Sequence, residues 1–98
     1  MTTTITQTQI EKQQVIIFKA LADPIRLNIL RHLKAVGHEV TCGEVGNNLN
    51  ISKSSGSYHF KLLQEAQLIT ARKEAREKYV MLNPETFDRY LTHFFETL

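Results

Sequence analysis

The sequence predicts a mostly α-helical domain with one small β-hairpin, in the order α-α-α-α-β-β-α. Apolar residues recur at helical spacing along most of the chain, and Asp-Pro or Asn-Pro pairs mark two helix starts. One charged segment separates two short strand-like runs near the C-terminal end. With 98 residues, 42% hydrophobic and 22% charged, we expect residues 1–98 to form a single globular domain.

The first two predicted helices are divided by Asp23-Pro24, an N-cap followed by the residue best suited to a first helical turn. Residues 8–22 are apolar over more of the helix circumference than a surface helix needs, which indicates burial on two sides. The second helix ends at Gly37, which suits a left-handed C-cap. Residues 1–7 are polar and are predicted to form a flexible arm.

Residues 41–66 predict two helices joined by a tight connection. Thr41 and Glu44 have capping-box spacing at the start of the third helix, and Ser52 is the expected N-cap of the fourth. The fourth helix has an apolar inner face and a polar outer face with short hydroxyl side chains. His59 lies on the inner face, so we expect it to be a hydrogen-bonded structural residue.

The outer face of the fourth helix suits the major groove of DNA. Short side chains let the backbone approach closely, and a helix N-terminus favours a phosphate. The alternative is an ordinary solvated face, but the short helix and tight connection before it are typical of a helix-turn-helix. The predicted DNA-binding residues here are Ser52, Lys53, Ser54, Ser55, Ser57, Tyr58 and Lys61.

A basic hairpin is predicted at residues 68–82, with the charged segment 73–77 as its loop. A hairpin in this position, called a wing, reaches a minor groove or the flanking phosphates. Acidic residues in the same loop weaken the local field, so a hairpin with internal salt bridges is the alternative. The predicted DNA-binding residues of the wing are Arg72, Lys73, Arg76 and Lys78.

The first and last helices, residues 8–22 and 84–98, carry more apolar surface than a chain of this length can cover. Both could pack only into the core, but we favour a two-fold dimer that places two reading helices about one DNA turn apart. The predicted dimer contacts are Ile10, Ile17, Leu21, Phe87, Leu91, Phe94, Phe95 and Leu98.

Two stretches of the chain resemble the ArsR/SmtB family of winged helix-turn-helix repressors. Residues 20–30, ALADPIRLNIL, are similar to its second-helix signature, and residues 51–63, ISKSSGSYHFKLL, to its recognition-helix signature. The resemblance covers about residues 18–82. It implies a homodimer of the terminal helices that binds a double-stranded DNA operator, represses transcription and is released by a signal. The inducer is unknown at this point.

The chain departs from the metal-sensing patterns of this family. Members with paired cysteines carry them as C-x-C at the third helix, where this chain has Thr41 and Gly43 with Cys42 between them. On the last helix only His93 and Glu96 remain of a second known site. A tight zinc site needs about four ligands. We therefore predict no metal and no cofactor, with a non-standard metal-responsive site as the alternative.

Two single residues carry further expectations. Ala75 stands where the wing turn of the family usually has glycine, so the geometry of this turn is expected to differ. Cys42 lies near a predicted helix N-terminus, which would lower the pKa of its thiol and allow a redox switch. The alternative for Cys42 is a small, inert residue.

Composition and motifs exclude several other classes of protein. A net charge of +2 permits nucleic-acid binding without arguing for it. One cysteine allows no internal disulfide, which fits a cytoplasmic location. The sequence has no signal-peptide pattern, no apolar run long enough to span a membrane and no catalytic motif, so we expect neither a membrane protein nor an enzyme. A winged-helix protein-interaction module without specific DNA binding remains the alternative function.

Overall fold

A computed structural model describes residues 6–98. Most of the predicted arm therefore lies outside the described residues, but Gln7 is already helical, one residue before the predicted start. The predicted fold class is confirmed, with one strand more than expected. The elements are α1 (Gln7–Leu21), α2 (Pro24–Val36), β1 (Val40–Thr41), α3 (Cys42–Leu49), α4 (Lys53–Glu65), β2 (Ile69–Glu74), β3 (Glu77–Leu82), α5 (Pro84–Phe87), a π-helical turn (Asp88–Thr92) and a 3-10 turn (Phe94–Thr97).

The predicted caps define both ends of α2. The carboxylate of Asp23 accepts hydrogen bonds from the backbone amides of Ile25 at 2.9 Å and Arg26 at 3.1 Å. The bond from the Arg26 amide is the main reason that the pKa of Asp23 lies below its usual value, because it favours the charged carboxylate. At the other end Gly37 has a φ of +75° and closes the helix as a left-handed cap.

We expect Gly37→Ala to lower the free energy of unfolding by about 1 to 2 kcal/mol, since a Cβ is disfavoured in the left-handed region. No atom lies within 4 Å of the added Cβ, so the cost would come from the backbone alone. Gly43→Ala is the matched control: Gly43 is helical and meets only Thr41 Oγ1 at 3.9 Å. Urea unfolding should show the control unchanged or stabilised by up to about 1 kcal/mol. Equal stability of both variants would contradict this account.

The connection between α3 and α4 is short because one residue reverses the chain. Asn50 has a φ of 56°, a conformation that asparagine tolerates better than most residues. The amide of Ile51 then donates to the carbonyl of Gly46 at 2.8 Å. The Ser52 hydroxyl accepts from the amide of Ser55 at 3.3 Å and begins α4. The predicted N-cap and tight connection are thus confirmed.

The hairpin belongs to a three-stranded antiparallel sheet with strand order β1-β3-β2. The sequence analysis did not predict β1, whose Val40 and Thr41 pair with Val80 and Tyr79 of β3. Two residues are too few to show a strand pattern. Strand β1 directly precedes α3 and pairs with β3 of the wing, so it holds the wing beside the helix-turn-helix.

The wing turn is tighter than predicted. The loop was expected to span residues 73–77, but Glu74 pairs with Glu77 and leaves only Ala75 and Arg76 in the turn. Ala75 has a φ of 56°, so this turn keeps a left-handed residue although alanine replaces the usual glycine. The cost is local backbone strain rather than a different connection.

The final helix differs from the prediction of one continuous helix over residues 84–98. Regular α-helix ends at Phe87, a π-helical turn follows, and His93 has non-helical angles of φ −115° and ψ 30°. The Thr92 hydroxyl donates to the carbonyl of Phe87, five residues earlier, at 3.2 Å. Such a side-chain bond competes with regular helical pairing. Within residues 6–98, no helix is both long and apolar enough to cross a membrane.

Candidate nucleic-acid interface

The N-terminal half of α4 presents a polar face to solvent. Its opposite face is buried through Gly56, His59, Phe60 and Leu63, which orients the helix on the core. Tyr58 is 59% exposed, although one edge of its ring contacts the ring of His59. The predicted DNA-binding residues that are exposed here are Ser52, Lys53, Ser54, Ser57, Tyr58 and Lys61, while Ser55 is half-buried.

The structure brings α4 and the wing together around one groove of about 550 Å³. Lys53 and Ser57 line it from α4, and Arg76 and Lys78 line it from the wing. The start of α3 forms its floor. Three cationic side chains, one from α4 and two from the wing, thus converge on one concave surface with a single carboxylate, Glu77, and their net positive charge attracts phosphates. Lys73, also predicted to bind DNA, is exposed on the wing outside this groove.

Arg72 is the wing residue that forms ion pairs within the chain. Its Nε and Nη2 donate to the carboxylate of Glu39 at 2.9 and 2.7 Å, and its Nη1 donates to Glu74 at 2.6 Å. The guanidinium also lies 4.6 Å from the centre of the Tyr79 ring. The hydrogen bonds to Glu39, and next those to Glu74, raise the pKa of Arg72. Arg72 therefore braces the wing against the segment before β1, and its role as a DNA contact stays a prediction, since half of its side chain is exposed.

Cys42 does not have the activated thiol that its position suggested. It is half-buried at the start of α3, and burial raises the pKa of its thiol, an effect that nearby Lys78 only partly opposes. A thiol with a raised pKa is less often a thiolate and reacts more slowly. The direction of this shift favours the alternative of a small, inert residue over the redox switch.

The two weak metal candidates lie together on an exposed turn. Nδ1 of His93 is 3.5 Å from a carboxylate oxygen of Glu96, and both side chains are mostly exposed. In the part of the chain that the structure describes, no three or more His, Cys, Asp or Glu side chains are grouped closely enough to hold a metal ion. Cys42 lies elsewhere, in the groove beside the wing.

A second groove, of about 740 Å³, runs between α1 and the C-terminal turns. Its apolar lining includes Val15, which is 50% exposed, and Leu98, which is 84% exposed. The rings of Phe18 and Phe94 meet edge to face at 5.0 Å along it. Exposed apolar surface of this kind marks an interaction site. We call this surface the terminal groove.

The terminal groove contains only some of the predicted dimer contacts. Ile10, Phe94 and Leu98 line it, and Phe95 is 86% exposed near it. Ile17 was predicted to be a dimer contact, but its side chain is fully buried in the core of its own chain and cannot reach a partner. The others pack against that core: Leu21, Phe87 and Leu91.

Val15 and Phe18 were missed as interface candidates. A helical spacing signal was present, since the α1 residues that line the terminal groove recur three and four positions apart. The broad apolar surface of α1 hid this stripe, because the sequence does not distinguish residues that the chain's own core covers, such as Ile17, from those left exposed. The role expected of His59 is confirmed: its ring is 7% exposed and hydrogen-bonded to Arg26 at 3.1 Å.

The known proteins that this chain resembles in sequence are transcriptional regulators. A family model described as a helix-turn-helix domain matches residues 21–72. An uncharacterised HTH-type transcriptional regulator of Bacillus subtilis, YceK, is 55% identical over 84% of this chain and 82% of its own length. The arsenical resistance operon repressor of the same bacterium is 36% identical over 76% of this chain and 70% of its own length.

Solved structures share the architecture. An ArsR family transcriptional regulator superposes with a TM-score of 0.77 at 25% identity, over 89% of this chain and 88% of that protein. A homodimeric winged helix-turn-helix DNA-binding domain from Mycobacterium bovis, solved by NMR, gives a TM-score of 0.73 over 95% of this chain and 94% of that domain. Its identity is 20%, so it supports the fold alone.

Proposed function

This chain belongs to the ArsR family of winged helix-turn-helix transcriptional regulators, and we propose that it is a cytoplasmic repressor whose homodimer binds a palindromic operator. The observation that carries this proposal is the groove shared by α4 and the wing. Lys53 and Ser57 of the recognition helix and Arg76 and Lys78 of the wing line one concave surface, whose three cations outnumber its one carboxylate, Glu77. A surface built this way engages a base-bearing groove and its phosphates at once.

In this proposal α4 lies in the major groove, which is wide enough to admit a helix. The hydroxyls of Ser54 and Ser57 are short enough to let the helix approach the base edges and can donate or accept hydrogen bonds there. Lys53 and Lys61, at opposite ends of the exposed face, bind phosphates. The wing follows the neighbouring backbone or minor groove through Arg76, Lys73 and Lys78.

A second copy of the chain is the proposed occupant of the terminal groove. Its exposed apolar residues need a partner of matching shape, and a two-fold axis provides the same surface on both chains. The M. bovis neighbour is described as homodimeric, which agrees with this choice. Two-fold symmetry would set the two recognition helices about 34 to 36 Å apart, one turn of DNA.

The signal that releases this repressor differs from that of the cysteine-pair metal sensors. Thr41 and Gly43 occupy the positions of the two cysteines and offer no thiolate. We therefore propose an inducer other than a metal bound at the start of α3.

The test is fluorescence anisotropy with DNA from upstream of the chain's own gene and a scrambled duplex of the same composition, at two salt concentrations. We expect tighter, saturable binding to the native duplex with two chains per site, and a reporter behind that DNA should be derepressed when the gene is deleted. Equal, weak binding to both duplexes that vanishes with salt would favour a protein-interaction module instead. Lower reporter output after deletion would indicate an activator.

Lys53→Ala and Lys61→Ala should each weaken binding to native and scrambled DNA alike. Each lost phosphate contact should reduce the slope of log K against log[salt] by about one. Ser54→Ala is the contrasting variant, because a base contact changes sequence preference and leaves the salt slope unchanged. Unchanged salt slopes in both lysine variants would show that these side chains do not contact phosphates.

A further inference from the structure

Arg26 is a charged residue that is buried, at 8% exposure, and its side chain bridges helices. Nε donates to the carbonyl of Ala20 at 2.7 Å, and Nη2 donates to the carbonyl of Lys19 at 3.3 Å. Both carbonyls belong to the last turn of α1. Nη1 lies 3.1 Å from Nδ1 of His59 in α4. One side chain from the first turn of α2 therefore joins the end of α1 to the recognition helix.

The chemistry of these contacts explains how a guanidinium is kept in the interior. The last carbonyls of a helix have no partner within it and carry the negative end of its dipole, so they are good acceptors for a cation. Arginine has no acceptor atom, so Arg26 donates and Nδ1 of His59 accepts, which places the ring proton on Nε2. The carboxylate of Asp23 lies 3.9 Å from the same Nδ1 and adds negative charge beside the guanidinium.

A second polar contact joins the same two helices. Nε2 of Gln13, in α1, donates to the carbonyl of Ala66 at 3.0 Å. Ala66 is fully buried and is the C-cap residue of α4. The recognition helix is thus hydrogen-bonded to α1 at its C-terminal end, and through Arg26 near its middle.

We propose that Arg26, His59 and Gln13 are positioning residues that hold the recognition helix at a fixed rotation and distance relative to α1. The proposal rests on the proposed function, because α1 lines the terminal groove where the second copy would dock. If α1 carries the dimer contacts and α4 reads DNA, these hydrogen bonds transmit the geometry of the dimer to the two reading surfaces.

Small changes in this geometry matter for base recognition. The outer side-chain atoms of a helix lie about 5 to 6 Å from its axis, so a rotation of about 20° moves them by about 2 Å. That displacement exceeds the tolerance of a hydrogen bond. Tyr58 adjoins His59, with ring centres 5.6 Å apart, and is exposed on the reading face. A shift of His59 therefore displaces a residue of the DNA-binding surface directly.

The test compares variants that remove a hydrogen bond with variants that keep one. His59→Leu removes the acceptor for Arg26, and His59→Asn keeps an acceptor near the position of Nδ1. Gln13→Met removes the donor to Ala66 at similar length. Ile29→Val is the stability control, since Ile29 is fully buried in α2 and makes no such bond. Each protein is titrated below its unfolding transition with native DNA, scrambled DNA, and duplexes whose half-sites are moved closer or apart by one base pair.

For the wild-type chain we expect strong preference for native DNA and a steep loss of affinity when the half-site spacing changes. His59→Leu and Gln13→Met should reduce the ratio of native to scrambled affinity about tenfold, as for a lost base contact, and flatten the spacing dependence. His59→Asn should recover most of the wild-type ratio. Ile29→Val should lower the unfolding temperature and leave both the ratio and the spacing profile unchanged.

Loss of stability alone cannot flatten a spacing profile, because it reduces the active fraction equally for every duplex. Unaltered ratios and spacing profiles in His59→Leu and Gln13→Met, alongside a specific wild-type protein, would overturn the positioning role and leave the proposed function standing. A wild-type chain with equal affinity for all duplexes would overturn the proposed function, and the positioning role with it.

Discussion

Val15→Glu should convert the proposed dimer into folded monomers. Val15 is 50% exposed in the single chain and lines the terminal groove. In a two-fold interface the substitution places one carboxylate from each chain in the apolar contact surface. An uncompensated buried charge costs several kcal/mol. We therefore expect the dimer Kd to rise by at least about 1000-fold, which corresponds to about 4 kcal/mol.

The monomer should keep its fold, because a half-exposed side chain leaves the new carboxylate in contact with water. Sedimentation equilibrium gives the dimer Kd, and circular dichroism checks the fold. Operator affinity should fall together with dimerisation, since each chain would then bind its half-site without the gain from a linked partner. Thr8→Glu is the control, because it adds the same charge to α1 at an exposed position outside the groove. A dimeric Val15→Glu protein would show that the second copy docks elsewhere.

Ser57→Glu should abolish most DNA binding without unfolding the protein. Ser57 is exposed on α4 and lines the groove shared with the wing. A carboxylate at this position would face phosphates and would cancel part of the field of Lys53 and Arg76. We expect affinity for both native and scrambled DNA to fall by at least about 100-fold, or about 3 kcal/mol. An exposed substitution of this kind changes stability by no more than about 0.5 kcal/mol.

Two further variants serve as controls for Ser57→Glu. Ser57→Ala removes only the hydroxyl, so it should alter sequence preference while leaving the non-specific affinity intact. Ala35→Glu adds the same charge on an exposed position of α2 that lines neither groove, and should bind as the wild type does. Wild-type affinity in Ser57→Glu would mean that the exposed face of α4 does not enter DNA.

Local chemistry made the helix ends predictable. Asp23, Gly37 and Ser52 each act on backbone groups within a few residues, so a short stretch of sequence contains both partners of the interaction. The outer face of α4 was predictable for a related reason, because helical periodicity separates its buried residues from its polar ones. Periodicity and turn signals likewise predicted the order of the elements, and the resemblance to a known family agreed with it.

Features that depend on distant residues were predicted incorrectly or missed. Ile17 was assigned to the dimer surface, since an apolar residue looks the same whether its own chain or a partner covers it. The ion pair of Arg72 with Glu39 was missed, because the two residues lie far apart in sequence. Arg26 was not singled out, because its acceptors come from two other helices. In each case the partner is brought near only by folding.

The sequence by itself determined the order of helices and hairpin, the caps of α2, and which residues of α4 face outward, because these depend on local hydrogen bonding and periodicity. Tertiary structure decided which charges converge and which are neutralised. It gathered Lys53, Arg76 and Lys78 around one groove and tied Arg72 to carboxylates. It also showed which apolar residues of α1 remain uncovered. The approach of Lys53 to the wing and the Arg72–Glu39 ion pair follow from the packing of elements distant in the chain, and no short stretch of sequence contains both partners.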